Sequence, residues 1–306
     1  MYEDTSVLSH EAVTAYDVIS AGLRMAVSER RIGVVRKLLE LPGIDVNYND
    51  DHGGLDDGAE WERNEALELQ LGPNFAGLTP LMLAAQMGWT ECVQTLLQHP
   101  GIDVNKTDDY DTPVRDEYDE RWTALYYAIQ GGNVECVSLI YERIDFPTVG
   151  LRDDNILEYV PHANIANLLI DLGAANTQIT HQEAMARAIE SDNGDVLQVL
   201  IDHAIVYVND PIERYRHFKA EVALRPLERA VDLGQVDCVR VLMAAPGIDI
   251  TPEIYLLAAT QRRGTHGREI RKMFHRHYSA MARYVVRNRL HGRSENLERL
   301  VGSMFR

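Results

Sequence analysis

Residues 77–105 read GLTPLMLAAQMGWTECVQTLLQHPGIDVN, and pieces of that stretch return elsewhere in the chain. "LPGIDVN" at 41–47, "HPGIDVN" at 99–105 and "APGIDI" at 245–250 are copies of one turn. Upstream of them lie "IGVVRKLLEL", "TECVQTLLQH" and "VDCVRVLMAA"; "NVECVSLIYE" (133–142) is a fourth copy of that run. "ANIANLLIDLGAAN" (163–176) and "GDVLQVLIDH" (194–203) are variants of it. Apolar residues fall at helical spacing in each. Val93, Leu96 and Leu97, at i, i+3 and i+4, mark one buried stripe.

A second apolar run precedes each of these, as in "AGLRMAVSERR" (21–31), "TPLMLAAQMGW" (79–89), "TALYYAIQGGN" (123–133) and "RPLERAVDLGQ" (225–235). "HQEAMARAIESDN" (181–193) and "PEIYLLAATQRRG" (252–264) complete the set. A small residue recurs near the middle: Ala26, Ala84, Ala85, Ala128, Ala188, Ala230, Ala258 and Ala259. It lets two antiparallel helices approach across a short turn. Gly88, Gly132, Gly194 and Gly234 are expected at or just past the end of the first helix, where a left-handed residue is wanted. Thr79-Pro80 and Thr251-Pro252 fit a capping hydroxyl followed by proline at the first helical position. The unit is therefore helix, tight turn, helix, extended turn, repeated about seven times, and no unit buries its apolar face alone.

These residues resemble the ankyrin repeat family. Residues 77–105 carry G-x-T-P-L, the alanine pair, the mid-repeat glycine and the closing D-V-N; "RWTALYYAIQGGNVECVSLI" (121–140) is a second match and 225–250 a third. Met82 and Tyr126 stand where the family has a histidine, and Trp89 replaces the one after the central glycine. The resemblance covers most of 16–275. It implies an all-α, ankyrin-like solenoid of helix-turn-helix repeats with extended loop fingers and a C-terminal helical cap. It also implies a non-enzymatic scaffold that binds a partner protein through its concave face.

The expected organisation is an N-terminal segment (1–15), an ankyrin repeat domain (16–275) and a basic helical cap (276–306). Equivalent alanines are 58 residues apart from 26 to 84, 44 from 84 to 128 and 42 from 188 to 230. The family period is about 33 residues, so the surplus is inserted between units. The insertions fall near 48–76, 106–120 and 204–223. The first two are acidic, with Asp50, Asp51, Asp56, Asp57, Glu60 and Glu62, then Asp108, Asp109, Asp111, Asp116, Glu117, Asp119 and Glu120. Trp61, Phe75, Trp89, Tyr110, Tyr118 and Trp122 accompany them. Aromatic anchors within an acidic rim suit a basic protein partner. The alternative is that the acids keep long loops solvated while the tryptophans fill space between units. From the repeat geometry, the candidate partner-binding residues are Phe75, Leu78, Gln86, Met87, Trp89, Trp122, Tyr126, Tyr127 and Gln130.

The net charge is −17. Residues 261–306 hold twelve Lys and Arg against three Asp and Glu, net +9, which leaves −26 for residues 1–260. An acidic body argues against nucleic acid lying along it, because phosphates are repelled. The basic end is read as a polar-faced helical cap, with binding of an anion, either nucleic acid or acidic lipid, as the alternative. In it Phe274, Tyr278, Met281 and Val285 share one helical stripe, and Leu297, Leu300, Val301 and Met304 another.

No catalytic constellation, metal site or cofactor is expected. Cys92, Cys136 and Cys238 occupy one repeat slot, Glu/Asp-Cys-Val, where a thiol acts as a small buried hydrophobe. His99 is replaced by Leu41 and Ala245 in the sister copies. His266, His275 and His277 lack a carboxylate at metalloprotease spacing. "NYNDDHGGLDDG" (47–58) fails the calcium-loop template, with His52 at the glycine position and Gly58 at the bidentate glutamate. The acidic N-terminus shows no secretory leader and no apolar run spans a bilayer, so the expected location is cytoplasmic, with non-classical export left open.

Overall fold

Thr79 and Pro80 open a helix because each supplies what its first turn lacks. The Thr79 hydroxyl accepts from the Met82 N–H at 3.3 Å, and Pro80 at the first helical position has no N–H to orphan. The computed structural model describes residues 19–49, 77–108, 122–144, 152–173, 178–212, 224–260 and 264–287. The chain divides into two units, 1–156 and 157–306.

The first unit stacks three helix pairs among the described residues. They are α1 (19–28) with α2 (Ile32–Leu39), α3 (Pro80–Gln86) with α4 (Thr90–Leu97), and α5 (Ala124–Gln130) with α6 (Val134–Tyr141). The second unit carries a 3-10 segment (Arg152–Tyr159, which starts just before it) and α7 (Ala163–Asp171), followed by three more pairs. These are α8 (Gln178–Glu190) with α9 (Gly194–Asp202), α10 (Pro226–Leu233) with α11 (Val236–Ala244), and α12 (Pro252–Thr260) with α13 (Thr265–Arg287). The all-α, ankyrin-like fold expected from the repeats is the fold observed. The stripe at 297–304 lies outside the described residues, and α13 runs without a break through residue 276.

Among the described residues, the two helices of five pairs are joined through one left-handed residue. Arg30, Gly88, Gly132, Asp192 and Gly234 hold φ between 52 and 80° at equivalent positions. Gly194 was expected there and is instead the first residue of α9. Asp192 takes the left-handed turn two positions earlier (φ 52°), a conformation that a short polar side chain tolerates better than most. Its carboxylate then accepts from the N–H groups of Asp237 and Cys238 at 3.1 Å each, reaching the next repeat.

Two further devices tie repeat to repeat. In the first, the asparagine that ends D-V-N brackets the neighbouring turn: Asn47 accepts from the Asp103 N–H at 2.8 Å and donates to the Gly101 carbonyl at 2.8 Å. Asn209 does the same to Asp249 (2.9 Å) and Gly247 (2.8 Å). Residues 206–209, V-Y-V-N, are thus another copy of I-D-V-N, and the third insertion begins only after them. In the second, an asparagine at the start of the second helix caps its own helix and grips the preceding repeat. Asn133 accepts from the Cys136 N–H at 3.0 Å and donates to the Gly88 carbonyl at 3.2 Å.

The core follows the apolar stripes. Cys92, Val93, Leu96 and Leu97 are buried on α4, Cys136, Val137 and Ile140 on α6, and Cys238, Val239 and Leu242 on α11. All three thiols are free and buried. Burial pushes each of them up; Cys238, which also faces the Asp192 carboxylate, rises to about 12. Since the thiolate is the nucleophile, native protein at pH 8 is expected to react with a disulfide reagent about 100-fold more slowly than urea-unfolded protein, which releases all three. Rapid labelling of any one thiol in the folded state would contradict this slot assignment. His99, the remaining suspect of this stretch, spends its Nδ1 on the Gly101 N–H at 3.1 Å, within its own turn.

Candidate functional site

The finger that precedes α5 is organised by one carboxylate. Asp108, 3% exposed, accepts from the Trp122 backbone N–H at 2.5 Å through Oδ1 and from the Tyr127 hydroxyl at 2.5 Å through Oδ2. Its own N–H donates to the Trp122 carbonyl at 2.9 Å, and Thr107 and Thr123 form an isolated antiparallel bridge beside it. The two sides of the second insertion are therefore held together at its base. Sequence reading had placed Asp108 among the acids of a recognition rim; its burial makes it a structural anchor instead. Nothing in its sequence neighbourhood distinguishes it from the adjacent aspartates.

Asp108 thus fixes the Trp122 backbone and the Tyr127 hydroxyl, two members of a group of three aromatic residues. Trp122 and Tyr126 stack with centroids 3.8 Å apart and planes 18° apart. Tyr127 meets Tyr126 edge-on at 5.6 Å. All three are half-buried. A rigid, partly exposed aromatic platform of this kind loses little side-chain entropy on binding.

The other candidates lie at the opposite end of the first helices. Met87, 47% exposed, ends α3, and the exposed Gln130 ends α5. Trp89 opens α4 and is half-buried, with no capping bond from its side chain. Gln86 is half-buried, and its Oε1 is enclosed without a hydrogen-bond partner. An orphaned amide oxygen costs about 1–3 kcal/mol until a donor reaches it. A helix of seven residues is about 10 Å long. On α5 the predicted residues run from Tyr126 and Tyr127, in the middle of the helix, to Gln130 one turn later, while Gln86 and Met87 end α3.

Leu78 belongs to neither helix. It is 1% exposed and packs inside, where no partner can touch its side chain. Phe75 lies outside the described residues, as do the acids at 50–62 and at 109–120.

Among the described residues there is no group of three or more His, Cys, Asp or Glu placed to hold a metal ion. No described helix is long and apolar enough to cross a membrane.

A family-model comparison agrees with the repeat reading over part of the chain. Residues 58–149 match the family model described as Ankyrin repeats (3 copies). No curated protein matches the chain. Among solved structures, the ankyrin repeat domain of human ASB11 aligns at 19% identity and a TM-score of 0.42, covering 64% of this chain and 83% of that one. The sequence match covers the first unit's best copies. In the second unit the repeats are recognised by the same left-handed turn and the same asparagine bracket. Ankyrin repeats are in general protein–protein interaction modules.

Proposed function

We propose that this chain, which carries ankyrin repeats, is a non-enzymatic scaffold that captures a partner protein through the α3 and α5 edge of its first unit. The observation that carries this is the half-buried Trp122–Tyr126 stack, which begins at the backbone N–H that the buried Asp108 carboxylate accepts. Aromatic anchors of low conformational entropy are the residues that dominate binding energy at protein interfaces. Met87 adds an exposed apolar contact at the C-terminal end of α3. The partner is expected to insert an apolar or cationic group over the stacked rings, a cation being favoured by the ring faces and by the acidic sequence around them.

The test is quantitative affinity capture with mass spectrometry, comparing the parent chain with Tyr126→Ala and with Met87→Ala. Tyr207→Ala, a residue 59% exposed in the second unit, serves as the control. Loss of a hot-spot aromatic costs about 2 kcal/mol or more, so a protein held through this edge drops about 30-fold or more in recovery with Tyr126→Ala and is unchanged with Tyr207→Ala. Equal recovery across all variants, with melting temperatures unchanged, would refute the surface.

A further inference from the structure

Helix α13 presents a row of cations to a groove beside α11. Arg268, Lys272 and Arg276 stand at i, i+4 and i+8, all exposed. Together with Arg240 and the half-buried Met273 they line a groove of about 380 Å³. Two carboxylates are already engaged there. Arg240 is paired with Asp237 and, at 3.5 Å, with Glu269. No carboxylate among the described residues pairs with Arg268, Lys272 or Arg276. With four cations against the two carboxylates, the groove carries a net positive charge of about +2, in a protein whose net charge is −17.

Spacing narrows the occupant. Side chains four residues apart on a helix are separated by about 6 Å along its axis. In an extended peptide, side chains on one face repeat every two residues, about 6.6 Å. Three acids at alternate positions of an extended segment can therefore meet Arg268, Lys272 and Arg276 in register, while the residues between them point away. Met273, set among the cations, offers an apolar contact that a phosphodiester chain or a lipid headgroup does not use.

We infer that the α11–α13 groove is a second binding site, which takes an extended acidic peptide segment of a partner protein with Asp or Glu at every other position. It is distinct from the aromatic edge of the first unit, and it gives the basic end of the chain a recognition role beyond that of a solvated cap.

The probe is a fluorescein-labelled, end-blocked nonapeptide with Glu at alternate positions and Ser and Leu between them. Anisotropy is measured against the full chain at 50 and 200 mM NaCl. An isomer with its glutamates contiguous, a single-stranded oligothymidine of equal charge and phosphatidylserine vesicles complete the set. The expected result is that the alternating peptide binds best and weakens with salt. Each of Arg268→Ala, Lys272→Ala and Arg276→Ala should cost about three- to fivefold, the upper range for an exposed ion pair. Lys272→Glu/Arg276→Glu should abolish binding with the melting temperature unchanged, because both side chains are exposed. Absence of peptide binding, equal binding of the contiguous isomer, tighter binding of the oligonucleotide or vesicles, or insensitivity to the charge reversal would each overturn the site.

Discussion

Asp108→Ala is expected to destabilise the first unit by about 2–4 kcal/mol in urea denaturation. The substitution leaves two donors, the Trp122 N–H and the Tyr127 hydroxyl, without the charged acceptor that now holds both at 2.5 Å. A buried donor left unpaired costs about 1–3 kcal/mol, and the half-buried hydroxyl regains part of its loss from water. Asp108→Asn keeps one acceptor oxygen and should lose about half as much. Because the carboxylate sets the aromatic stack, Asp108→Ala should also weaken partner capture at temperatures where the chain remains folded. An Asp108→Ala protein as stable as the parent would return this residue to the recognition rim that sequence reading assigned it.

The second large effect concerns space rather than charge. Gly131 has ordinary helical torsions (φ −70°, ψ −10°), so its backbone would accept any residue. A Cβ placed on it, however, would lie 2.2 Å from the Gln86 carbonyl oxygen, and a backbone atom within a packed stack has nowhere to move. Gly131→Ala is expected to cost about 1–3 kcal/mol, the usual range for overpacking, despite the entropy that alanine removes from the unfolded chain. Gly33, inside α2, is the matched comparison, since a Cβ there meets nothing within 4 Å. Gly33→Ala should stabilise by about 0.4–1 kcal/mol. Thermal melts of the two variants should therefore move in opposite directions, and a shared sign would contradict the close approach of α3 and α5.

The repeat fold was legible because the same physical demand recurs: an apolar stripe on each second helix, a small residue on each first helix and an asparagine closing the finger. Where one copy met the demand with a different residue, the reading slipped. Gly194 drew attention as the only glycine near the end of its helix, while Asp192 bent the chain. V-Y-V-N at 206–209 hid a finger because tyrosine replaced aspartate. Functional placement was less legible for a reason of geometry. Linear spacing reveals which residues share a helix and a face, but not what packs against that face. It admitted Leu78, a core residue. Asp108 could not be identified, because its partners lie 14 and 19 residues away across an insertion.

Asp108 also donates across the base of that insertion, and the third insertion has the same closure. The Asp108 N–H bonds the Trp122 carbonyl at 2.9 Å, and the Ile212 N–H bonds the Leu224 carbonyl at 3.0 Å, each beside an isolated bridge. Among the described residues each excursion thus leaves and rejoins the stack through a bridged neck, so its length is decoupled from the register of the repeats. Loop-closure entropy grows only with the logarithm of length, about 0.6 kcal/mol per doubling. The necks are therefore natural grafting points: a foreign epitope, or a different acidic loop, can be exchanged between 109 and 121 or between 213 and 223 at small cost to the helices on either side.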